Sequence, residues 1–291
     1  MEVNRREALR VSVVVPVYNQ WDRVPVLLEA IAAQTFPPFE VLLVDNGSSH
    51  VPPDDDDPDF VRRLECRVPG SYAARNVGLA EARGQVIFFT DADCRPEPGW
   101  IEAALQALRQ QGGAALVAGA IRVEAEDRTN LVALYDSLTG MPQQAYVRKG
   151  YGITANLVVP RAVADVVGNF DETRFSGGDA DFCRRAARAG YRVRYCEAAA
   201  VVHPARTKFE ELATKMRRVK GGQLRSGSFP QRCFYLLRSF LPPFRGIFSI
   251  VLADGIGGRE RFGMAGIVLR LWLVEMRETV RLLMGAAPER R

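Results

Sequence analysis

Asp91 and Asp93 stand one residue apart in the stretch Q-V-I-F-F-T-D-A-D-C-R, residues 85–95. Two anions held this close attract a divalent cation. Oxygen ligands of this kind suit Mg2+ or Mn2+, which keep several waters and take their remaining ligands from a substrate phosphate. Taken alone, the pair is also the ordinary chemistry of a polar turn after a strand. A second pair of acids, Asp179 and Asp181, occurs in F-S-G-G-D-A-D at 175–181. It opens a helix whose amide ends favour anions, and the glycines before it allow a ligand to come close; an N-cap role accounts equally for one of the two acids. Asp45 ends a buried run and begins D-N-G-S-S. An acid there meets base or ribose in mononucleotide-binding folds, or serves the turn itself. Arg75, in A-A-R-N, can reach a diphosphate.

The flanking patterns predict the elements that must position these groups. Val86 to Phe89 form an unbroken apolar run, as in a strand buried on both faces, and alternation along extended chain points Asp91 and Asp93 to one side. Val11 to Val15 predict a first strand that Pro16 ends. A helix from Trp21 toward Gln34 follows, with Asn19 or Gln20 as its cap and Val24, Leu27, Leu28 and Ile31 turned inward. Val41 to Val44 make a second strand, and V-P-P-D-D-D-D-P-D at 51–59 a solvated loop, since prolines and adjacent like charges oppose a defined cation site. Residues 69–84 read as a helix packed through Ala73, Ala74, Val77 and Ala80 and closed by Gly84. Beyond it the pattern predicts a helix over 99–111, a strand over 116–123, and an irregular polar stretch over 124–150 that borders an acceptor cleft. A strand over 150–160 and a short helix over 161–167 follow. A helix over 180–189 carrying Arg184, Arg185 and Arg188 and ended by Gly190 comes next, then a strand from 192 to His203.

P-V-Y-N at 16–19, V-D-N-G-S-S at 44–49, A-A-R-N-V-G at 73–78 and F-T-D-A-D at 89–93, in that order, resemble the nucleotide-binding half of a family 2 glycosyltransferase. The resemblance implies an α/β fold of the GT-A type, Rossmann-like, with a mostly parallel central sheet flanked by helices. It also implies a nucleotide-diphosphate sugar donor and a divalent cation. Pro16, Tyr18, Asn19, Asp45, Arg75, Asn76, Asp91 and Ala92 would then line the nucleotide, Asp45 at the base. Asp91 and Asp93 would be the D-x-D, with Asp93 the direct metal ligand and His203 a third ligand or a phosphate contact; a turn histidine is the other reading of His203. Asn156, Gly177 and Gly178 would face the acceptor, though Asn156 reads as well as a hydrogen-bonded core residue. The family's acidic element implies Asp179 as general base with Asp181 as the alternative, and inversion at the anomeric carbon. The chain departs from the pattern at Gly178, where the family often has Glu. A nucleotidyltransferase and an inactive membrane-surface binding protein are the competing classes. The first needs a Gly- and Lys-rich phosphate loop that P-V-Y-N-Q-W does not supply.

With 291 residues, 47% hydrophobic and 25% charged, the chain can bury a large core. Five cysteines without a C-x-x-C pair indicate neither a disulfide framework nor a zinc site. M-E-V-N-R-R-E-A-L-R lacks the apolar core of a secretion leader, so a cytoplasmic protein is expected. The net charge of +5 divides unevenly: residues 1–205 carry 22 Lys and Arg against 27 Asp and Glu, and 206–291 carry 17 against 7. The expected organisation is a catalytic domain over 1–205, its nucleotide half about 1–98 and acceptor half about 99–205, followed by a basic helical extension over 206–291. In that extension Arg238 and Arg245, seven residues apart, would share a helical face were the prolines at 242 and 243 not between them. Residues 266–284 make a broadly apolar helix with a basic strip. Such a tail suits an anionic membrane at the inner face of the cell, or packs on the catalytic body. A saccharide or lipid-linked acceptor fits either arrangement. No nucleic-acid-binding module is legible, and the sequence sets no oligomeric state.

Overall fold

The structure, a computed structural model, describes residues 9–174 and 176–289. Most of the stretch without a secretion-leader pattern, residues 1–8, lies outside them. The chain forms two compact units: Met1–Arg122, Met141–Glu172 and Gly178–His203 in the first; Val123–Gly140, Thr173–Gly177 and Pro204–Arg291 in the second. Residues 123–140 and 173–177, expected within the catalytic domain, thus group with the C-terminal helices.

The first unit is built in the order β1 (Val11–Val17), α1 (Val24–Ala32), β2 (Glu40–Asp45), β3 (Val61–Glu65), α2 (Ser71–Glu81), β4 (Val86–Thr90), β5 (Arg95–Pro96), α3 (Trp100–Gln110) and β6 (Ala115–Glu124). After α4 (Leu131–Thr139) come α5 (Gln143–Arg148), β7 (Asn156–Pro160), α6 (Arg161–Val167), α7 (Gly178–Arg188) and β8 (Arg192–Pro204). The strands make one sheet in the order β3-β2-β1-β4-β7-β6-β8-β5. β3, β2, β1 and β4 run parallel; β7 is antiparallel to β4 and β6, and β5 antiparallel to β8. The period of two sorts the core onto the two faces. Val11, Val13, Val15, Val17 and Phe88 pack with α1 and α3, and Val14, Ile87 and Phe89 with α2, α6 and α7.

Several boundaries differ from expectation for local reasons. Pro16 does not end β1: it stays in register with Val44 of β2, while the ladder with β4 stops at Val14, so no hydrogen bond to β4 is lost there. The helix cap expected at Asn19 or Gln20 is absent. α1 begins after Arg23 with a proline in its first turn and no side-chain cap, while Asn19 takes a left-handed turn at φ +52°. α2 ends at Glu81, its last carbonyls accepting from Arg161, and Ala80 is exposed. Gly84 serves packing rather than helix termination: a Cβ there would stand 2.6 Å from the Ser12 amide nitrogen. The stretch 124–150 is not irregular, since α4 and α5 lie in it. The Asn130 side chain caps α4 by accepting from the amides of Val132 and Ala133.

The second unit contains α4, α8 (Phe209–Arg225), α9 (Phe229–Ser239), α10 (Phe244–Val251) and α11 (Gly258–Leu283). Leu134, Ile250, Ile256, Met264 and Val268 form one cluster, and Leu212, Ile267 and Leu271 another. Its buried charges are paired: Lys220 with Glu275 at 2.6 Å, and Asp136 with Arg206 at 3.1 Å and Lys215 at 3.8 Å. Burial and the neighbouring Arg206 bring the Lys215 ammonium down to about 8, against the pull of Asp136. Pro242 and Pro243 break the α9–α10 segment, so Arg238 and Arg245 stand on different helices rather than on one face. Among the described residues, no helix is long and apolar enough to cross a membrane.

Candidate active site

β1, β2 and β4 end along one edge of the parallel sheet, where open α/β sheets carry their ligands. Asp91 and Asp93 follow β4 directly. What brings them together is a turn rather than extended alternation: the Cys94 amide donates to the Asp91 carbonyl at 3.1 Å, and Ala92 inside the turn is buried, its side chain in the core. Immediately afterwards β5 clips onto β8 with Arg95 opposite Val202, which seats His203 beside the acids. Asp91, Asp93 and His203 each offer a ligand atom, all within 4.8 Å of one another.

The donor set fits a divalent cation. The buried Oδ1 of Asp93 has no hydrogen bond of acceptable geometry, although His203 Nε2 lies 3.3 Å away. A buried carboxylate oxygen left in that state is costly unless a cation is its partner. The other oxygen accepts from Gln20 Nε2 at 3.1 Å. Asp91 is held by Arg75, whose Nη2 lies 2.5 Å from it. Arg75 is 4% exposed, and its guanidinium stands 5.9 Å from the centre of the Tyr72 ring.

Asp179 sits in the first turn of α7 and is buried. Its Oδ1 accepts from the Ala180 amide at 2.9 Å and from the Tyr72 hydroxyl at 3.4 Å. Burial pushes its carboxyl above the usual range, against the opposing pull of the Ala180 amide, Arg75, the Thr154 backbone and Tyr72. Arg75 therefore acts electrostatically on both acids, Asp91 through an ion pair and Asp179 through its field. Asp181, the alternative base, is instead bonded to Arg185 at 3.0 Å, and the same guanidinium holds the carbonyls of Val167 and Asn169.

At the β2 end, Asp45 Oδ1 accepts from Trp21 Nε1 at 3.0 Å, and Oδ2 from the amides of Gly47 and Ser48. Partial burial raises its pKa, but the bonds from Ser48, Trp21 and Gly47 outweigh this and hold the carboxyl below its ordinary value. Asn19 Oδ1 accepts from the Ser49 amide at 2.8 Å and its own amide donates to Ser48 Oγ at 2.9 Å, joining the loops after β1 and β2. Tyr18 is exposed beside it, and Pro16 is within β1.

Two expected ligand contacts are core residues instead. The Asn76 side chain bonds both ways to the Phe170 backbone, at 2.9 and 2.8 Å, and is buried. Asn156 is fully buried; its Oδ1 accepts from Trp100 Nε1, and its Nδ2 donates to the carbonyls of Ala120 and Ala199, each at 2.8 Å. It ties α3, β6, β7 and β8 together and presents nothing to an acceptor. Asn156→Ala strands a buried indole N–H and two carbonyls, so urea denaturation should show a loss of about 3 kcal/mol.

Gly177 belongs to the second unit and turns at φ +77°. A Cβ at Gly178 would stand 2.7 Å from the Tyr72 ring, which occupies the space that a side chain at 178 would need. Gln20, Trp21 and Tyr72, which bond to Asp93, Asp45 and Asp179, are positions that sequence reasoning did not assign to the site. Their signal, polar side chains beside the quoted motifs, was indistinguishable from capping and packing.

An α/β sheet whose parallel half ends in a nucleotide-type edge, with a D-x-D turn joined to a histidine and a buried acid at the start of α7, is the arrangement of the GT-A class of glycosyltransferase folds. Residues 12–170 match the model of glycosyl transferase family 2, and the chain belongs to that family. It is 34% identical to glycosyltransferase AglE of Haloferax volcanii over 228 residues, 74% of this chain and 73% of that one. It is 33% identical to the pre-mycofactocin glycosyltransferase of Mycobacterium tuberculosis over 217 residues, 69% of this chain but 44% of that protein. The mannosyltransferase PcManGT from Pyrobaculum calidifontis, solved in complex with GDP-Man and Mn2+, has a similar fold with a TM-score of 0.59 at 19% identity, covering 94% of this chain and 87% of that one.

Proposed function

We propose that the protein is a metal-dependent, inverting glycosyltransferase. It moves a sugar from a nucleotide-diphosphate sugar to an acceptor hydroxyl, in the assembly of a cell-surface polysaccharide or glycolipid at the inner face of the membrane. The observation that carries this reading is the buried, unsatisfied Oδ1 of Asp93 beside Asp91 and His203. The complex of PcManGT with GDP-Man and Mn2+ supports it on the same fold. Asp91, Asp93 and His203 would hold Mn2+ or Mg2+, the imidazole favouring Mn2+. That cation supplies charge neutralisation to the diphosphate leaving group.

The remaining steps belong to the chain's own residues. Asp45 and the stapled loops after β1 and β2 bind the base end of the donor, and Arg75 adds positive charge beside the diphosphate. Asp179 accepts the proton of the acceptor hydroxyl as its oxygen bonds to the anomeric carbon and the bond to the diphosphate breaks; one such displacement inverts the centre. Tyr72 steadies the carboxylate through its hydroxyl. The test is a panel of nucleotide sugars scored for nucleoside-diphosphate release with Mn2+, Mg2+ or EDTA, with the anomer of the product assigned by NMR. Release that is stimulated by cation and a product of inverted configuration are expected. Release indifferent to EDTA, or retention, overturns the corresponding half.

A further inference from the structure

Among the described residues, fifteen of the twenty-two large apolar side chains that stand exposed lie between Phe229 and Met284. This is too concentrated for the scattered exposure normal on a surface. Within α11 and the residue after it, Phe262, Leu269, Leu273, Val280 and Met284 are exposed, at successive intervals of 7, 4, 7 and 4. At 100° per residue these fall within about 40° of one line, a stripe about 33 Å long. The opposite face of the same helix is a packed one, with Met264, Ile267, Val268 and Leu271 buried. α11 is therefore apolar on two sides for two different reasons.

The charges are segregated around that stripe. Exposed Arg259, Arg270 and Arg277 lie roughly 60 to 80° to one side of it by the same geometry; Arg270 also stacks over Phe209, its guanidinium 4.0 Å from the ring centre. All three acids of α11 fall on the other side of the helix, and each is held: Glu260 by the Gly257 amide, Glu275 by Lys220 and Glu278 by Arg281. The neighbouring helices repeat the scheme. Phe234, Leu237 and Leu241 are exposed along α9 and its end, beside Arg238; Phe244, Phe248 and Leu252 along α10 and its end, beside Arg245.

We infer that this stripe and its arginine border dock the protein in the plane of a bilayer that contains anionic lipid. The inference rests on the membrane location in the proposed function and not on its chemistry. An apolar stripe with cations along its edge matches the acyl boundary and the headgroup phosphates of such a surface. A second copy of this chain is a poorer occupant, because antiparallel stripes would bring arginine against arginine and parallel ones would leave both arginine rows without an anion.

The test is co-sedimentation of the full chain with phosphatidylcholine vesicles, with and without roughly one-third phosphatidylglycerol, at low and high salt. The intact protein should bind the anionic vesicles and be released in part by salt. Phe262→Ser/Leu273→Ser/Val280→Ser, all exposed positions, should bind at least about tenfold more weakly at either salt. Arg259→Gln/Arg270→Gln/Arg277→Gln should lose mainly the part that salt removes. Failure of the intact protein to sediment, or triple variants that bind like it, overturns the proposal. So does a dimer in light scattering that the apolar variant dissociates while vesicles are ignored. Turnover of the nucleotide sugar in free solution should be unchanged in both variants; an intact protein that binds vesicles but turns over nothing overturns the catalytic reading and leaves the surface standing.

Discussion

Asp93→Asn is expected to abolish turnover of the nucleotide sugar, by about 10³-fold or more, which corresponds to ~4 kcal/mol of lost transition-state stabilisation. The substitution keeps shape and the capacity to meet Gln20 Nε2, but removes the charge from the one buried oxygen of the site that no donor satisfies. Binding of Mn2+, followed by calorimetry in the absence of donor, should weaken with it. The fold should persist, because the variant puts a neutral amide of the same shape where a largely buried carboxylate stood. Asp93→Asn turning over at the wild-type rate would falsify the assignment, and loss of activity with unchanged cation affinity would move Asp93 from ligand to positioning residue.

The second large effect is at Asp179. Asp179→Asn should lower kcat by about 10² to 10⁴ while donor affinity stays close to that of the parent. Burial raises the carboxyl's pKa, so the acid limb of the parent's kcat/KM profile should lie above the ordinary carboxylate range near 4, and it should vanish in the variant. The sign for stability runs opposite to that for activity. A folded pKa raised above the unfolded one contributes stability that is present below the unfolded value and lost as pH rises through the folded value. At neutral pH the parent therefore carries a carboxylate its surroundings disfavour, and Asp179→Asn should unfold at an equal or higher urea concentration. A variant that is inactive and also markedly less stable would assign Asp179 to structure. The same kinetic loss in Asp181→Asn would shift the base by two residues, away from Tyr72 and Arg75.

Much of this arrangement was legible in local sequence. The apolar runs of β1, β2 and β4 announced buried parallel strands, and the polar residues just past them marked the sheet edge where the candidate site lies. Residues whose partners are remote were not legible. Asn76 meets Phe170 across 94 positions, and Asn156 gathers Trp100, Ala120 and Ala199 from three other elements. A polar side chain in a motif looks the same whether it faces a ligand or satisfies the core. α4 and α5, at nine and six residues, were too short for a helical period to stand out. His203 was placed by β5, a two-residue strand that leaves almost no sequence pattern. Asp91 and Asp93 do come close together, but a turn and not strand alternation converges them.

The contact between Gly178 and Tyr72 limits the routes by which this site can change. With the Tyr72 ring 2.7 Å from where a Cβ would stand, a side chain at 178 is disfavoured until residue 72 shrinks. Shrinking residue 72 first removes the hydroxyl that meets Asp179 and opens a void beside it. The two positions are therefore coupled: a side chain at 178 and the Tyr72 ring compete for the same space, so a substitution at one is relieved by a smaller residue at the other. As long as the ring stays at 72, position 178 is held to a residue without a side chain.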